Sequence, residues 1–304
     1  MVLAHNSLLG REYPHTSVVN AYGDRYPWAP CIGQPAVRRY LLDLAAEAAV
    51  RPGAAGTELE SLGWYGLAHL HAHDKTAGVP LGDAAQYLMS LCFCPYCRDG
   101  YAESGADPDE LAAAVRHALA PVWAGSGSGS GESGVPGIAA LLGAEFTALS
   151  LDWRLRTARS LQEQAVAAVR AAAPPGFQVL MHADPAAYHC GANAGVDPAH
   201  ILRHADGLVL PCAGGPAARE AMLGPTAPHR GPRTVLAANL GIVAGLGGNP
   251  ARLAADASHA AELGATELRL YHAGLASDAD LDAVRRGAGR SWRPLTDRPG
   301  PGEP

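Results

Sequence analysis

The sequence predicts an α/β fold, a (β/α)8 barrel of the TIM type whose first two βα units are absent or replaced. Three observations predict it. Short runs rich in Val, Leu and Ile alternate with alanine-rich helical stretches, as parallel strands and their covering helices do. Nearly every run ends in polar residues, the place where barrel sites are built. No strand-to-helix turn carries G-x-G-x-x-G or a P-loop, so an open nucleotide-binding sheet has no support. The chain has 304 residues, 48% of them hydrophobic, enough for one large core.

The elements follow in order. The first apolar run, "VLAHNS" (2–7), puts His5 and Asn6 at a strand end. A helix is expected over 35–50, with Pro35 in its first turn. "TELESL" (57–62) reads as a strand, followed by a long region with helices near 109–123 and 138–173. The rhythm then tightens into four βα units. Their strands are "QVLMHAD" (178–184), "GLVLPC" (207–212), "TVLAANL" (234–240) and "ELRLYHAG" (267–274). Their helices lie near 198–205, 216–223, 250–263 and 278–287. Six units are visible in all. Residues 1–290 read as a single barrel domain with an insertion over about 64–136, and 291–304 as a loose tail. "GSGSGSGESG" (125–134) is a flexible low-complexity segment inside that insertion.

Charge and composition exclude several classes. The net charge is −6, the pI about 6.1, and no block of Lys or Arg stands out, so no nucleic-acid partner is expected. No window reaches about 18 uninterrupted apolar residues, so no membrane span is expected. "MVLAHNSLLG" lacks a basic n-region, a long apolar core and a cleavage site, and a cytoplasmic location is the expectation. In a reducing compartment, clustered thiols bind metal or do redox work more often than they form disulfides.

The cluster is "LCFCPYC", with Cys92, Cys94 and Cys97. A C-x-C-x-x-C run supplies three soft donors to a tetrahedral metal, and thiolates are the preferred donors of a closed zinc site. Cys31, just before the 35–50 helix, is the natural fourth. Four thiolates leave no open position, so this zinc is structural. Cys190 reads as an ordinary loop thiol and Cys212 as a barrel-mouth or core residue.

The segments "NAYGDRYPWAPCIGQPAVRRYLLDLAAEAA", "ELESLG" and "LCFCPYC" resemble the family 42 β-galactosidases and their relatives, in order and rough spacing over residues 20–101. "HNSLLG", "AHDKT", "CFCPYC", "HADP" and "LRLYHAG" resemble a group of uncharacterised actinobacterial proteins of the same barrel type, along most of the chain. The first resemblance implies a structural zinc site made by a Cys before a helix and a later C-x-C-x-x-C. It also implies a fourth barrel strand ending in an acid/base glutamate, which falls on Glu60, with an acidic residue, Glu58, before it. The family's second carboxylate, a glutamate ending the seventh strand, falls on Asn239, which departs from retaining hydrolysis.

The residues themselves give a matching account. Glu58 and Glu60 lie two apart on a strand and share a face. Two neighbouring buried carboxylates cannot both ionise cheaply, which favours a general acid. Trp64 follows, placed to stack on a sugar face, and Asp184 is the substitute second carboxylate for an inverting arrangement. His5, Asn6, His182, Asn239 and His272 complete the polar set expected to line a substrate pocket. The first reading is therefore a glycoside-hydrolase-like enzyme acting on a carbohydrate or sugar-derived small molecule. The second is a metal-dependent sugar isomerase, epimerase or lyase, in which the same histidines and carboxylates hold a second divalent metal. The third is a degenerate barrel that binds sugar without turnover. A homo-oligomer is compatible with each. "HLHAHDK" (69–75) alternates His69, His71 and His73 and reads as a surface or lid segment, with Asp74 and Lys75 as a local ion pair. "GLGGNP" (245–250) reads as a βα loop and helix start of the kind that receives anions.

Overall fold

The computed structural model describes residues 6–49, 51–67, 78–125, 133–191 and 193–291. His5, the "HLHAHDK" histidines His69, His71 and His73 with Asp74 and Lys75, most of the Gly-Ser segment (126–132) and the tail from 292 lie outside the described residues. The chain divides into two compact units. One runs to Phe177 and includes Ala186–Asp197, and the other comprises Gln178–Pro185 and the chain from Pro198 onward.

Among the described residues the first unit begins with a helix directly after Asn6. Asn6 caps α1 (Ser7–Glu12), its Oδ1 accepting the Leu9 N–H at 2.9 Å. The Asn-Ser pair is a helix-start signal. An antiparallel hairpin follows, β1 (Ser17–Val19) with β2 (Arg25–Pro30), in the register Val18↔Tyr26. Asn20 builds its turn: Oδ1 accepts from the N–H groups of Tyr22 (2.9 Å) and Asp24 (3.0 Å), while Gly23 takes a φ of 91°.

Helix α2 (Pro35–Ala49) buries Val37, Leu41, Ala45 and Ala49, a stripe at four-residue spacing. Arg38 on α2 donates to the Thr157 carbonyl at 3.2 Å and to Ser160 Oγ at 2.9 Å. Strand β3 (Gly56–Leu59) comes next. The segment expected as an insertion holds α3 (Asp83–Met89), α4 (Pro95–Glu103) and α5 (Pro108–Trp123). Asp107 caps α5 by accepting the N–H groups of Asp109 and Glu110, with Pro108 at the first helical position. The single helix expected over 138–173 is two, α6 (Gly134–Leu142) and α7 (Ala144–Ala172), parted at Gly143 with its φ of 85°. Both Thr157 and Ser160 lie on α7, so the Arg38 bonds tie α2 to it.

The second unit is a parallel sheet with helical crossovers. Strand β4 (Gln178–His182) is followed by the one-turn α8 (Pro198–Ile201), and β5 (Gly207–Pro211) by α9 (Pro216–Leu223). Strand β6 (Val235–Gly241) is followed by α10 (Leu253–Glu262), and β7 (Glu267–Tyr271) by α11 (Asp278–Ser291). The strands lie side by side in sequence order, with Met181↔Leu208, Val209↔Ala237 and Ala238↔Leu268 in register. Leu180, Val209, Val235 and Ala237 form its buried core. Gly207 is required where β5 meets β6, because a Cβ there would collide with the Val235 carbonyl. Successive parallel strands with helical returns make a partial TIM-like barrel. Eight parallel strands are not found among the described residues.

Candidate functional site

The four cysteines come together. Cys31 leaves the hairpin with its N–H bonded to the Thr16 carbonyl at 2.7 Å, and its own carbonyl accepts from Gln34 at 3.0 Å. Phe93, between Cys92 and Cys94, donates its N–H to the Val19 carbonyl at 2.6 Å. Cys94 then caps α4 and Cys97 lies in its first turn, after Pro95. The Cys31 sulfur is 3.6 Å from Cys92, 3.6 Å from Cys94 and 3.5 Å from Cys97. All four sulfurs lie within 4.8 Å of one another and every residue is buried.

These separations are too long for a disulfide, and all four thiols are free. They are close to the edge of a tetrahedron of sulfurs around a metal with bonds of about 2.3 Å, which is about 3.8 Å. Electrostatics agrees. The hydrogen bonds from Cys31, and then from Cys92 and Cys97, hold the Cys94 thiol far below its usual range against the opposing effect of burial. Cys31 is held well above, chiefly by its bond to Cys92. Gly33 keeps the approach open, since a Cβ there would lie 3.2 Å from the Cys97 sulfur and 3.5 Å from that of Cys31.

The acidic pair sits on a pinned corner. Glu58 and Glu60 are half-buried, while Leu59 between them is fully buried on the opposite face. Ser61, directly after Glu60, has a φ of 68°, a left-handed conformation that a residue with a Cβ adopts only at a cost. Its N–H donates to Asn193 Oδ1 at 3.2 Å and its hydroxyl meets Tyr65 Oη at 2.7 Å. Tyr65 is pushed up to about 12, first by burial, with the Glu60 charge adding and the Ser61 bond opposing.

One expectation in this unit needs correction. Trp64 does not present a face for a sugar. It is 2% exposed, its Nε1–H donates to the Arg154 carbonyl at 2.9 Å, and the Arg154 guanidinium lies over its ring. Asn6 is the α1 cap, and its Nδ2 donates to Tyr40 Oη at 3.2 Å; the run expected as its strand lies outside the described residues.

In the second unit, His182 ends β4 and Asp184 follows it, both half-buried. Asn239 lies within β6, paired in register with Pro211 and Arg269. Its Oδ1 is buried and has no hydrogen-bond partner. It lines a cavity of about 300 Å³ together with Pro211, Val243, Leu246 and Tyr271. His272 is exposed just past β7, with its ring 3.8 Å from that of Tyr271. His182, Asp184 and His272 do not form a group of ligand atoms within 4.8 Å of one another.

A second cavity of about 360 Å³ is lined by Cys212, Arg219, Asn249, Arg252 and Asp256, with glycines of both bordering loops. Arg219 is 1% exposed and bonded on three sides: Nε to His259 Nδ1 (3.1 Å), Nη1 to the Gly214 carbonyl (2.8 Å) and Nη2 to Asp256 Oδ1 (3.0 Å). Burial pushes the Cys212 thiol up to about 11, against the pull of Arg219. The glycine-rich "GLGGNP" borders both cavities through Gly247 and Gly248. Arg219 and Asp256 escape a reading of the sequence, because neither stands in a motif; only Gly214-Gly215-Pro216, a helix-start signal, points to the Arg219 cavity.

The comparisons with known proteins bear on the fold. The chain is similar to the glycoside hydrolase domain of PgaB (BpsB) from Bordetella bronchiseptica, with a TM-score of 0.52 and 13% identity. The match covers 91% of this chain and 69% of that one. The fold is glycoside-hydrolase-like. At that identity the likeness speaks to architecture alone, and it does not single out the family 42 enzymes. No family model matches the chain, and no curated protein matches it. Among the described residues no helix is long and apolar enough to cross a membrane.

Proposed function

We propose that the chain is a glycoside-hydrolase-like protein that engages a small carbohydrate or sugar-derived molecule, with Glu60 as its proton donor and Glu58 as the donor's partner. The observation that supports this most is the corner at Glu60. Backbone strain at Ser61, held in place by Asn193 and Tyr65, fixes the carboxylate that precedes it. Strain of this kind is kept where a side chain must be aimed. A general acid there would protonate the leaving oxygen as the glycosidic bond breaks, a role worth about 10²–10⁴ in rate. Cys31, Cys92, Cys94 and Cys97 would hold a structural zinc, which closes the hairpin onto α4 and takes no part in the reaction.

The test is turnover of a panel of aryl glycosides. Glu60→Gln should lower the rate at least about a hundredfold without changing the melting temperature. Activity should persist under mild EDTA that leaves the cysteine-bound metal in place. A variant that keeps its rate removes Glu60 from the chemistry.

One observation favours a second reading, a sugar-binding barrel without turnover. The strand end where retaining enzymes of the resembled family carry a glutamate bears Asn239, and the lining of its cavity includes no carboxylate among the described residues. Under this reading, sugars raise the melting temperature, Asn239→Ala abolishes the rise, and no panel member is cleaved.

A further inference from the structure

We infer that the cavity at the carboxyl ends of β5 and β6 binds the phosphate group of a phosphorylated small sugar. The cavity, of about 360 Å³, lies within the second unit, at the end of the sheet where barrel-type folds place their ligands. Two helix starts border it. Gly215 and Pro216 open α9, and Arg252 and Leu253 open α10. Neither start carries a side-chain cap, so the first-turn N–H groups are not spent on a cap side chain. A Cβ on Gly215 or on Gly247 would meet no atom within 4 Å, so both bordering loops leave open space.

Charge decides what enters. The charged residues of the lining are Arg219, Arg252 and Asp256. Arg219 is 1% exposed and fixed by its bonds to His259, Gly214 and Asp256. Three of its five N–H donors are spent there, and one on each terminal nitrogen is left. Asp256 Oδ1 lies 3.0 Å from Arg219 Nη2 and 3.8 Å from Arg252 Nε, so one carboxylate is set against two guanidinium groups. Cys212 adds no negative charge near neutral pH, because burial pushes its thiol up to about 11. The lining therefore keeps a net positive charge, with a fixed cation in its wall and the exposed Arg252 side chain beside it. An arginine cannot shed its proton to escape such a position.

A buried guanidinium, an exposed one and two helix N-termini around one cavity suit an anion with several oxygens. A carboxylate is matched by a single guanidinium fork, and the Arg219 fork already holds Asp256. The dianionic phosphate group of an ester fits the wider set of donors. The sugar half of the inference rests on the carbohydrate reading above and on the adjoining cavity of about 300 Å³. The two cavities share Ala213, Gly241, Gly247 and Gly248. The second is lined by Asn239 and by Tyr271, which is 53% exposed and offers a ring face to a sugar. Phosphate in the first cavity thus leaves its sugar over the second.

The test is isothermal titration calorimetry on the intact chain at fixed ionic strength. The probes are a panel of hexose and pentose phosphates, inorganic phosphate, glucose and glucuronate. At least one sugar phosphate should bind about tenfold or more tighter than inorganic phosphate, glucose or glucuronate. Gly215 has a φ of −83° and a ψ of −177°, extended backbone that any residue adopts. Gly215→Asp should therefore cap α9, hold or raise the melting temperature, and still weaken the sugar phosphate at least about tenfold by placing a carboxylate in the cavity. Arg252→Ala should weaken it about tenfold, and Arg252→Lys should restore it in part. Any of three results overturns the inference: no sugar phosphate binds below about 10 mM, inorganic phosphate or glucuronate binds as tightly as the best ester, or both Gly215→Asp and Arg252→Ala leave the affinity unchanged. Failure here is separate from failure of the Glu60 reading, which turnover of aryl glycosides decides, since neither variant alters Glu60.

Discussion

Ser61 offers two readable consequences at the scale of one residue. Ser61→Ala removes the 2.7 Å bond to Tyr65 and keeps the left-handed backbone, so it should cost about 1 kcal/mol of unfolding free energy. Ser61→Gly loses the same bond but adopts that backbone freely, and should be more stable than the alanine variant by about 1 kcal/mol. Urea unfolding of the two variants checks the order; alanine at or above glycine would mean the corner is not strained. The cysteines were legible from spacing, because C-x-C-x-x-C carries its chemistry in the sequence. Arg154 and Arg219 were not. Each is a single basic residue inside a helix, and only packing turns it into a buried cation. Trp64 misled for the opposite reason: an aromatic residue beside a candidate acid fits a sugar platform and a core anchor equally well, and its burial under Arg154 decided between them.

Elements were legible where local signals agreed with one another. The four βα units of the second unit were found because apolar runs, turn residues and alanine-rich helices alternate at short range. The β1–β2 hairpin has no counterpart among the expected elements, and its second strand carries Pro27 and Pro30, which disfavour a strand. Its turn signal, Asn20 to Asp24, was present and outweighed them. Helix α5 begins at Pro108, one residue before the expected 109, where Asp107-Pro108 makes a strong helix opening. Asp107→Ala should therefore lower stability by about 1 kcal/mol, seen as a shift in the urea midpoint at constant slope. Gly248→Ala should do more harm, because the new Cβ would meet the Gly241 carbonyl oxygen at 2.6 Å and the Val243 nitrogen at 2.7 Å, both of them backbone atoms.

At the scale of the whole molecule, metal content and alkaline pH are the two levers. Elemental analysis should find close to one zinc per chain, and Cys94→Ser should lower it. A strong chelator should then depress the melting temperature by more than about 3 °C, the equivalent of about 2 kcal/mol in a chain of this size. Buried Tyr26, Tyr65 and Tyr87 are each pushed up to about 12. The unfolded chain deprotonates these groups near 10 while the folded one does not, so their contribution is intact below pH 10 and drains away between 10 and 12. Thermal melts should fall steeply across that window, and replacing Tyr87 by Phe should soften the fall.

Cys31 and Cys92 stand 61 positions apart in sequence yet share one cluster. During synthesis at about 5–20 residues per second, the first thiol is made about 3–12 s before the second, and later still than that the quartet is complete. Through that interval the nascent hairpin carries a lone sulfur with nothing to grip. If the cluster takes zinc as proposed, the order of translation makes ion capture a late event, and cells starved of zinc should accumulate chains arrested at this stage, marked by oxidation at Cys31 ahead of any damage farther along.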